Sequence, residues 1–363
     1  MVSIAEVSLV KVDRYYEYSE KDLVIEAYKQ LETKVKERVK PDVVIVSSGY
    51  IDSIGKSNLS AVKFSNSLGF KGAKAFRVEN GDNGGASIYT AYSLIKSGLA
   101  KSVLLIGIDK FSDLSSKQVN DFTATNLLYD YEYHLGLTLH SHAAILAKLY
   151  MKQYNVPYEY FANWPIKMHE YAVENPNAYL RFKADLKTVI SSQLVAEPLR
   201  LFDIAARGDG ASIVLLTEDS LAKKYTDTPV TLDRIAGASF DYSYELSLPS
   251  IRLAMKELDH RIDEKNIVEL HDSYSIIAAL ELEELGLGER GKSLEQLDSF
   301  QINYSGGLKA RGYIGGATAI YQLSEIVMQL RGDFKGKRAV GEKGIVVSTD
   351  DLASSSFIIS LTR

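Results

Sequence analysis

Apolar residues recur along this chain in two rhythms. Val43-Val44-Ile45-Val46 is apolar throughout, and residues 103–108 and 211–216 are nearly so, broken only by Gly107 and Ser212, the pattern of strands covered on both faces. Other segments repeat near every 3.6 residues: within residues 21–38, Leu23, Ala27, Leu31 and Val35 fall on one face and predict a helix. In order, the pattern predicts a strand over 7–12, that helix, a strand over 42–46 after Pro41, a polar stretch over 47–57, a helix over 61–68 and a strand over 102–109. From Phe111 to about Leu201 strands give way to helical patterns over 138–154, 158–174 and 186–192, an insertion of the kind that covers a site. Strand character resumes at 211–216, after Gly208-Asp209-Gly210. The remainder repeats the grammar: strand 230–238, helix 249–258, strand 266–270, helix 273–285, residues 301–304 leading to a glycine-rich turn, helix 317–330, then strands 344–348 and 357–361 as a hairpin-like pair.

The organising stretch is Val78-Glu79-Asn80-Gly81-Asp82-Asn83-Gly84-Gly85-Ala86-Ser87, which reads as strand, glycine turn and helix. Asp82 or Asn83 is placed to cap the helix, and Gly98 to end it. A helix starting above a strand end presents unpaired N–H groups to an anion or a nucleophile. Neither Gly-x-Gly-x-x-Gly nor a Gly-Lys-Ser/Thr ending is present here, so the turn is not a dinucleotide or P-loop fingerprint. The same turn recurs as Gly315-Gly316-Ala317-Thr318. Strand–helix alternation with a repeated turn predicts an α/β protein of two similar halves, residues 1–225 and 226–363, with the helical insertion at about 111–201 and the two glycine-turn helices side by side.

Composition narrows the chemistry. With 363 residues, 46% of them hydrophobic and 25% charged, the chain has material for a large core. A net charge of -5 with interspersed signs argues against a nucleic-acid partner. No run approaches the roughly 18 apolar residues of a membrane span, and an early Glu6 without an apolar leader predicts a cytoplasmic protein. The chain contains no cysteine, which removes disulfides, thiolate metal sites and thiol catalysis together. His140 and His142, two apart and without nearby carboxylate or cysteine spacing, predict no metal site.

Four motifs carry a resemblance: Arg77-Val78-Glu79 with its glycine helix; Ala196-Glu197-Pro198-Leu199-Arg200-Leu201-Phe202-Asp203 with Gly208-Asp209-Gly210-Ala211; Glu269-Leu270-His271-Asp272; and Asn303-Tyr304-Ser305-Gly306-Gly307-Leu308-Lys309-Ala310-Arg311-Gly312. Together they resemble the thiolase superfamily, in its archaeal and sterol-carrier-protein type of acetyl-CoA acetyltransferase. That resemblance implies a five-layer αβαβα fold of two duplicated halves, a loop domain covering coenzyme A, a tight dimer, and a reversible Claisen condensation of acyl-CoA units. It also implies a nucleophilic cysteine where this chain has Asp82, and the histidine of a Gly-His-Pro turn where it has Tyr313. The last catalytic loop, glycine-rich in the family, reads Ser348-Thr349-Asp350-Asp351-Leu352-Ala353, with Asp351 at its centre. His271 keeps the position that holds a water in an oxyanion hole, or else anchors its strand end.

From these departures the chain is expected not to be an ordinary thiolase, with Tyr313 and Asp82 hydrogen-bonded across the former site. Lys167, His169, Arg181 and Gly315 are candidates to contact coenzyme A or an acyl-CoA, the charged ones having a solvated surface as the alternative role. No covalently bound cofactor is expected. The leading expectation is a non-catalytic structural or regulatory subunit, as a homodimer or in a heteromer with a cysteine-containing thiolase. A small zinc-ribbon/OB-fold protein and hydroxymethylglutaryl-CoA synthase are further partners that the resemblance implies. Two other readings stay open: an acyl-CoA enzyme (acyltransferase, decarboxylase or hydrolase) using Asp82, Tyr313 and His271, and an acyl-CoA binding module.

Overall fold

The computed structural model describes residues 1–259 and 261–363. The chain opens with β1 (Val2–Leu9), α1 (Glu20–Glu32), β2 (Val43–Ser47), α2 (Ser60–Ser67), β3 (Lys74–Val78), α3 (Asn83–Lys96) and β4 (Ser102–Asp109). The insertion follows as α4 (Ser116–Thr123), α5 (Leu139–Tyr154), α6 (Glu159–Ala172), α7 (Leu186–Ile190) and a small ribbon of β5 (Leu194–Ala196) and β6 (Leu199–Arg200). Next come β7 (Gly210–Glu218) and α8 (Asp219–Tyr225). The second half contains β8 (Val230–Ser239), α9 (Pro249–Leu258), β9 (Ile267–Glu269), α10 (Ser275–Glu284), β10 (Gln301–Ile302), α11 (Thr318–Arg331), β11 (Lys343–Thr349) and β12 (Ser355–Thr362).

Ten strands form one hydrogen-bonded sheet in the order β10-β9-β11-β12-β8-β1-β7-β4-β2-β3. Its two halves meet at a short antiparallel join, Val2↔Leu232 to Ile4↔Val230. Read outward from that join, the halves are β1-β7-β4-β2-β3 and β8-β12-β11-β9-β10, the same topology strand for strand. In each, two parallel pairings sit at the outer edge and two antiparallel ones toward the join. The duplication expected from the repeated glycine turn is therefore present in the strand order itself.

Neighbouring residues of the buried strands serve opposite layers, which explains why their apolar runs are continuous. Ile45, Leu105 and Val214 face a central layer with Ile88 and Ala91 of α3 and Leu323 and Ile326 of α11, where Val346 and Ile359 of the second half also pack. Val44, Ile106 and Ile213 face outward onto Leu23, Ala27 and Leu31 of α1 and Phe64 of α2. On the far side, Val268, Val347 and Ile358 pack with α9, α10 and the inserted α5 and α6. The layers run α, β, α, β, α.

Expectation and structure differ at some element ends. β1 begins at Val2 instead of residue 7, because its polar positions are satisfied from afar: Ser8 Oγ donates to Ala27 O (2.7 Å) and Glu6 accepts from Arg331 Nη1 (2.7 Å). α1 stops at Glu32, short of residue 38, as Lys36 N–H turns to the carbonyl of Tyr225.

The glycines of the two turns exist for close approach. A Cβ on Gly84 would lie 2.6 Å from Ala319 Cβ, and one on Gly316 would lie 2.5 Å from Gly49 N. Gly84→Ala is expected to destabilise the chain by about 1–3 kcal/mol through overpacking where α3 meets α11. Denaturant unfolding checks this; an unchanged midpoint refutes the packing argument.

Candidate active site

Asp82 caps α3. Its Oδ1 accepts from Gly85 N (3.0 Å) and from Ser348 Oγ of β11 (2.8 Å), while the buried Oδ2 has no hydrogen-bond partner. Burial pushes this carboxyl up to about 6, against the lowering pull of the Gly85 and Ser348 bonds. Its neighbour Asn83 instead ties the turn to the first half, donating from Nδ2 to Ser48 O (2.8 Å) and accepting from Asn80 N (2.8 Å).

A second carboxylate, Asp109 at the end of β4, draws the halves together. Oδ2 accepts from Gly49 N (2.8 Å) and Gly316 N (2.7 Å), and Oδ1 from Ser48 Oγ (2.6 Å) and Tyr50 N (3.1 Å). Asp272, next to His271, does the same for the other glycine-rich turn. Its oxygens accept from Leu308 N (2.8 Å), Lys309 N (3.2 Å), Asn303 Nδ2 (2.8 Å) and Trp164 Nε1 of α6 (2.9 Å).

Between these anchors lies the centre of the site. The Tyr313 hydroxyl donates to Asp351 Oδ2 (3.1 Å), and His271 Nε2 lies 3.2 Å from Asp351 Oδ1. Burial alone would raise the Asp351 carboxyl, but His271, Arg207 and Tyr313 together hold it below the usual carboxylate range. The Tyr313 phenol is pushed well above its ordinary value, first by burial and then by Asp351. Its ring lies 6.0 Å from that of Phe111, nearly parallel, and edge-on to His271. Asp82, His271, Tyr313 and Asp351 line one cavity of about 30 Å³, with Gly49, Gly81 and Gly315 among its other walls. That volume holds a water or two.

Residues 11–219 match the thiolase N-terminal domain and residues 249–362 the thiolase C-terminal domain-like family. The chain belongs to the thiolase family. It is 34% identical over 275 residues to the acetyl-CoA acetyltransferase of Methanothermobacter thermautotrophicus, covering 71% of each chain. To human sterol carrier protein 2 it is 28% identical over 329 residues, covering 80% of this chain and spanning 58% of that protein's length. Among solved structures, the Ltp2-ChsH2(DUF35) aldolase superposes with a TM-score of 0.83 at 18% identity, covering 100% of this chain and 98% of that one. Human mitochondrial 3-ketoacyl-CoA thiolase superposes with a TM-score of 0.77 at 14% identity, covering 99% and 98%. These two share the fold.

Against the thiolase pattern, one expected contact is corrected. Tyr313 does not pair with Asp82: its hydroxyl reaches Asp351, and Asp82 is taken by Gly85 and Ser348. His271 is held at its backbone, whose N–H donates to Glu281 Oε2 (3.1 Å), which leaves the imidazole to face Asp351. Of the candidate coenzyme A residues, Gly315 lies on the cavity wall. Lys167 instead pairs with Asp298 (2.6 Å) and Glu170 (3.3 Å), Arg181 donates to Val173 O (3.1 Å), and the fully buried His169 has Nδ1 3.0 Å from Phe182 O. His140 and His142 diverge, toward Tyr274 and Asn120 and toward Ser243 O. Among the described residues no group of three or more His, Cys, Asp or Glu is arranged to hold a metal. Reasoning from sequence missed Tyr50, Asn126 and Arg207, which carry no local motif. It also missed Asp109, whose signal was a carboxylate ending an apolar strand.

Asp82 has a folded-state value of about 6, above its unfolded 3.8, so the folded chain binds the extra proton. That contribution to stability is full below 3.8 and is lost as pH rises through 6. Asp82→Asn is therefore expected to flatten the stability profile between about pH 4 and 6 and to gain on the order of 1–3 kcal/mol near pH 8 relative to the parent. Urea unfolding across that range measures it; an unchanged slope contradicts the assignment.

Proposed function

We propose that this thiolase-family chain forms no acyl-enzyme and acts as a non-catalytic structural or regulatory subunit of an acyl-CoA-handling assembly, beside a cysteine-bearing thiolase. The observation that carries the reading is the filled site. The Tyr313 ring packs with Tyr50, Phe111 and Leu308, its hydroxyl ends on Asp351, and about 30 Å³ remains. Organic ligands of appreciable size occupy pockets of roughly 300 Å³ or more, an order of magnitude larger. Asp82 is a poor substitute for a thiolate: an acyl-aspartate would be an anhydride, and its Oδ1 already caps the helix. Losing a nucleophile together with its base typically removes a factor of about 10⁴–10⁶ in rate. An intact five-layer scaffold without that chemistry suits a supporting subunit. The aldolase neighbour, which carries a DUF35 protein in its name, supports an assembly with a second protein. A small zinc-ribbon/OB-fold protein and hydroxymethylglutaryl-CoA synthase belong to the same proposal, as does a cytoplasmic setting; coenzyme A thioesters enter it as ligands of the assembly and not of this filled cavity.

One observation favours a second reading. His271 and Tyr313 converge on a single ionised carboxylate at the cavity wall, an acid–base arrangement that needs no nucleophile. Decarboxylation, hydrolysis or carbon–carbon cleavage of an acyl-CoA by proton transfer is the chemistry such a group would support.

The deciding experiment is coenzyme A-dependent cleavage of acetoacetyl-CoA by the pure chain, with intact-protein mass measured after incubation with acetyl-CoA. No turnover above buffer and no mass gain are expected, and the chain isolated from its native cells should co-purify with a cysteine-bearing homologue. Turnover, an acyl adduct, or recovery only as a homo-oligomer would overturn the subunit reading. Acyl-CoA turnover that Tyr313→Phe abolishes would establish the second.

A further inference from the structure

The chain contains two Asn-Gly pairs, Asn80-Gly81 and Asn83-Gly84, and both lie in the turn that opens α3. In such a pair the glycine's backbone nitrogen can attack the asparagine's side-chain amide carbon, because no Cβ shields the approach. The two pairs stand in opposite surroundings. Asn83 is buried at the first position of α3 with its side chain fastened at both ends, Nδ2 donating to Ser48 O (2.8 Å) and Oδ1 accepting from Asn80 N (2.8 Å). Turning its amide toward Gly84 N would break both bonds.

Asn80 is exposed, in the irregular link between β3 and α3. The groups around it bear on each atom that such an attack involves. The Gly81 N–H donates to Glu79 Oε1 (3.3 Å), so a carboxylate is placed to take the proton of the attacking nitrogen. Asn80 Oδ1 accepts from Ser355 Oγ of β12, a donor that stabilises the negative charge developing on that oxygen. Among the described residues no hydrogen bond holds Asn80 Nδ2, the group that must leave. Gly81 has φ +70°, a left-handed conformation outside any helix or strand ladder.

We propose that Asn80 is a self-modification site, at which the folded turn closes a succinimide between residues 80 and 81 and water opens it to aspartate or isoaspartate. The bond from Gly81 N to Asn80 Cγ forms and the Cγ–Nδ2 bond breaks. The proton passes from Gly81 N to Glu79 and departs with Nδ2 as ammonia. One water then adds at either imide carbonyl, with no change of oxidation state. The product places a new carboxylate close to Asp350, since a Cβ on neighbouring Gly81 would lie 3.6 Å from Asp350 Cβ. The isoaspartyl form also adds a methylene to the backbone two residues before the Asp82 cap.

Peptide mass spectrometry on the full chain, incubated in neutral buffer, tests this by timing amide loss at each position, with an isoaspartyl methyltransferase marking the isoaspartyl product. In the folded chain Asn80 is expected to convert at least about tenfold faster than Asn83, and in the chain unfolded by urea the two should convert at similar rates. A positioned general base contributes about 10²-fold or more, so Glu79→Gln should slow Asn80 by at least about tenfold. Glu79 is exposed, so that substitution removes no buried contact, and Ser355→Ala should slow Asn80 as well. Equal rates at the two positions in the folded chain, an intact Asn80 amide after the unfolded chain has converted, or an Asn80 rate unchanged by Glu79→Gln would each overturn the proposal.

Discussion

The Asp109 carboxylate is the constraint on which the rest of the site depends. It sits at the end of a central strand and gathers amides from two directions, Gly49 and Tyr50 of its own half and Gly316 of the other. A strand end and a helix start both leave backbone N–H groups without partners, and a buried seam between them cannot rely on water to satisfy them. One carboxylate accepting four donors answers that need in both halves. The same seam explains the glycines, because the backbone of residue 316 approaches Gly49 too closely for any Cβ. Desolvation pushes Asp109 up to about 6, so the link is bought against an electrostatic penalty that only its full set of donors makes tolerable.

Three carboxylates near this seam end in different states for reasons local to each. Asp82 and Asp109 are answered by neutral donors and are pushed up by burial, both to about 6. Asp351 is buried to a similar degree but faces His271 and Arg207, and it is held down. Burial sets the common upward tendency; only a nearby cationic group or strong donor reverses it. Asp351 in the last loop is therefore the carboxylate whose charged form the site favours, and it is the one that accepts from the Tyr313 hydroxyl.

Much of the architecture was legible because it rests on short-range rules. Continuous apolar runs marked β2, β4 and β7, and the repeated Gly-Gly-Ala-Ser/Thr turn marked α3 and α11 as equivalent helices. What escaped depends on partners far away in the chain. Ser3, Glu6 and Ser8 made β1 look too polar to begin at Val2, yet Ala27, Arg331 and Asp219 satisfy them. The Tyr313–Asp351 bond could not be chosen over Tyr313–Asp82 from spacing, since the choice turns on how β11 packs beside α3 and gives Asp82 to Ser348. Arg207 reaches the site only because its backbone pairs with Tyr313 across a bridge between two segments.

The exchange at position 82 shows how one electrostatic feature serves two ends. The start of α3 carries the partial positive charge of its free amides. A thiolate there would be stabilised and reactive, the basis of nucleophilic catalysis at helix starts. A carboxylate in the same field accepts from Gly85 and Ser348 through one oxygen and becomes a cap that fastens α3 to β11, although burial still pushes it up to about 6. The helix dipole thus no longer activates a nucleophile and instead strengthens the contact between the two halves. Substitution by a neutral small residue would have left the Gly85 amide and the Ser348 hydroxyl unanswered in a buried seam, at a cost of about 1–3 kcal/mol each. Aspartate at this position preserves the scaffold while giving up the thiolate, and a chain that keeps its five layers in this way can still offer a folded surface to another protein.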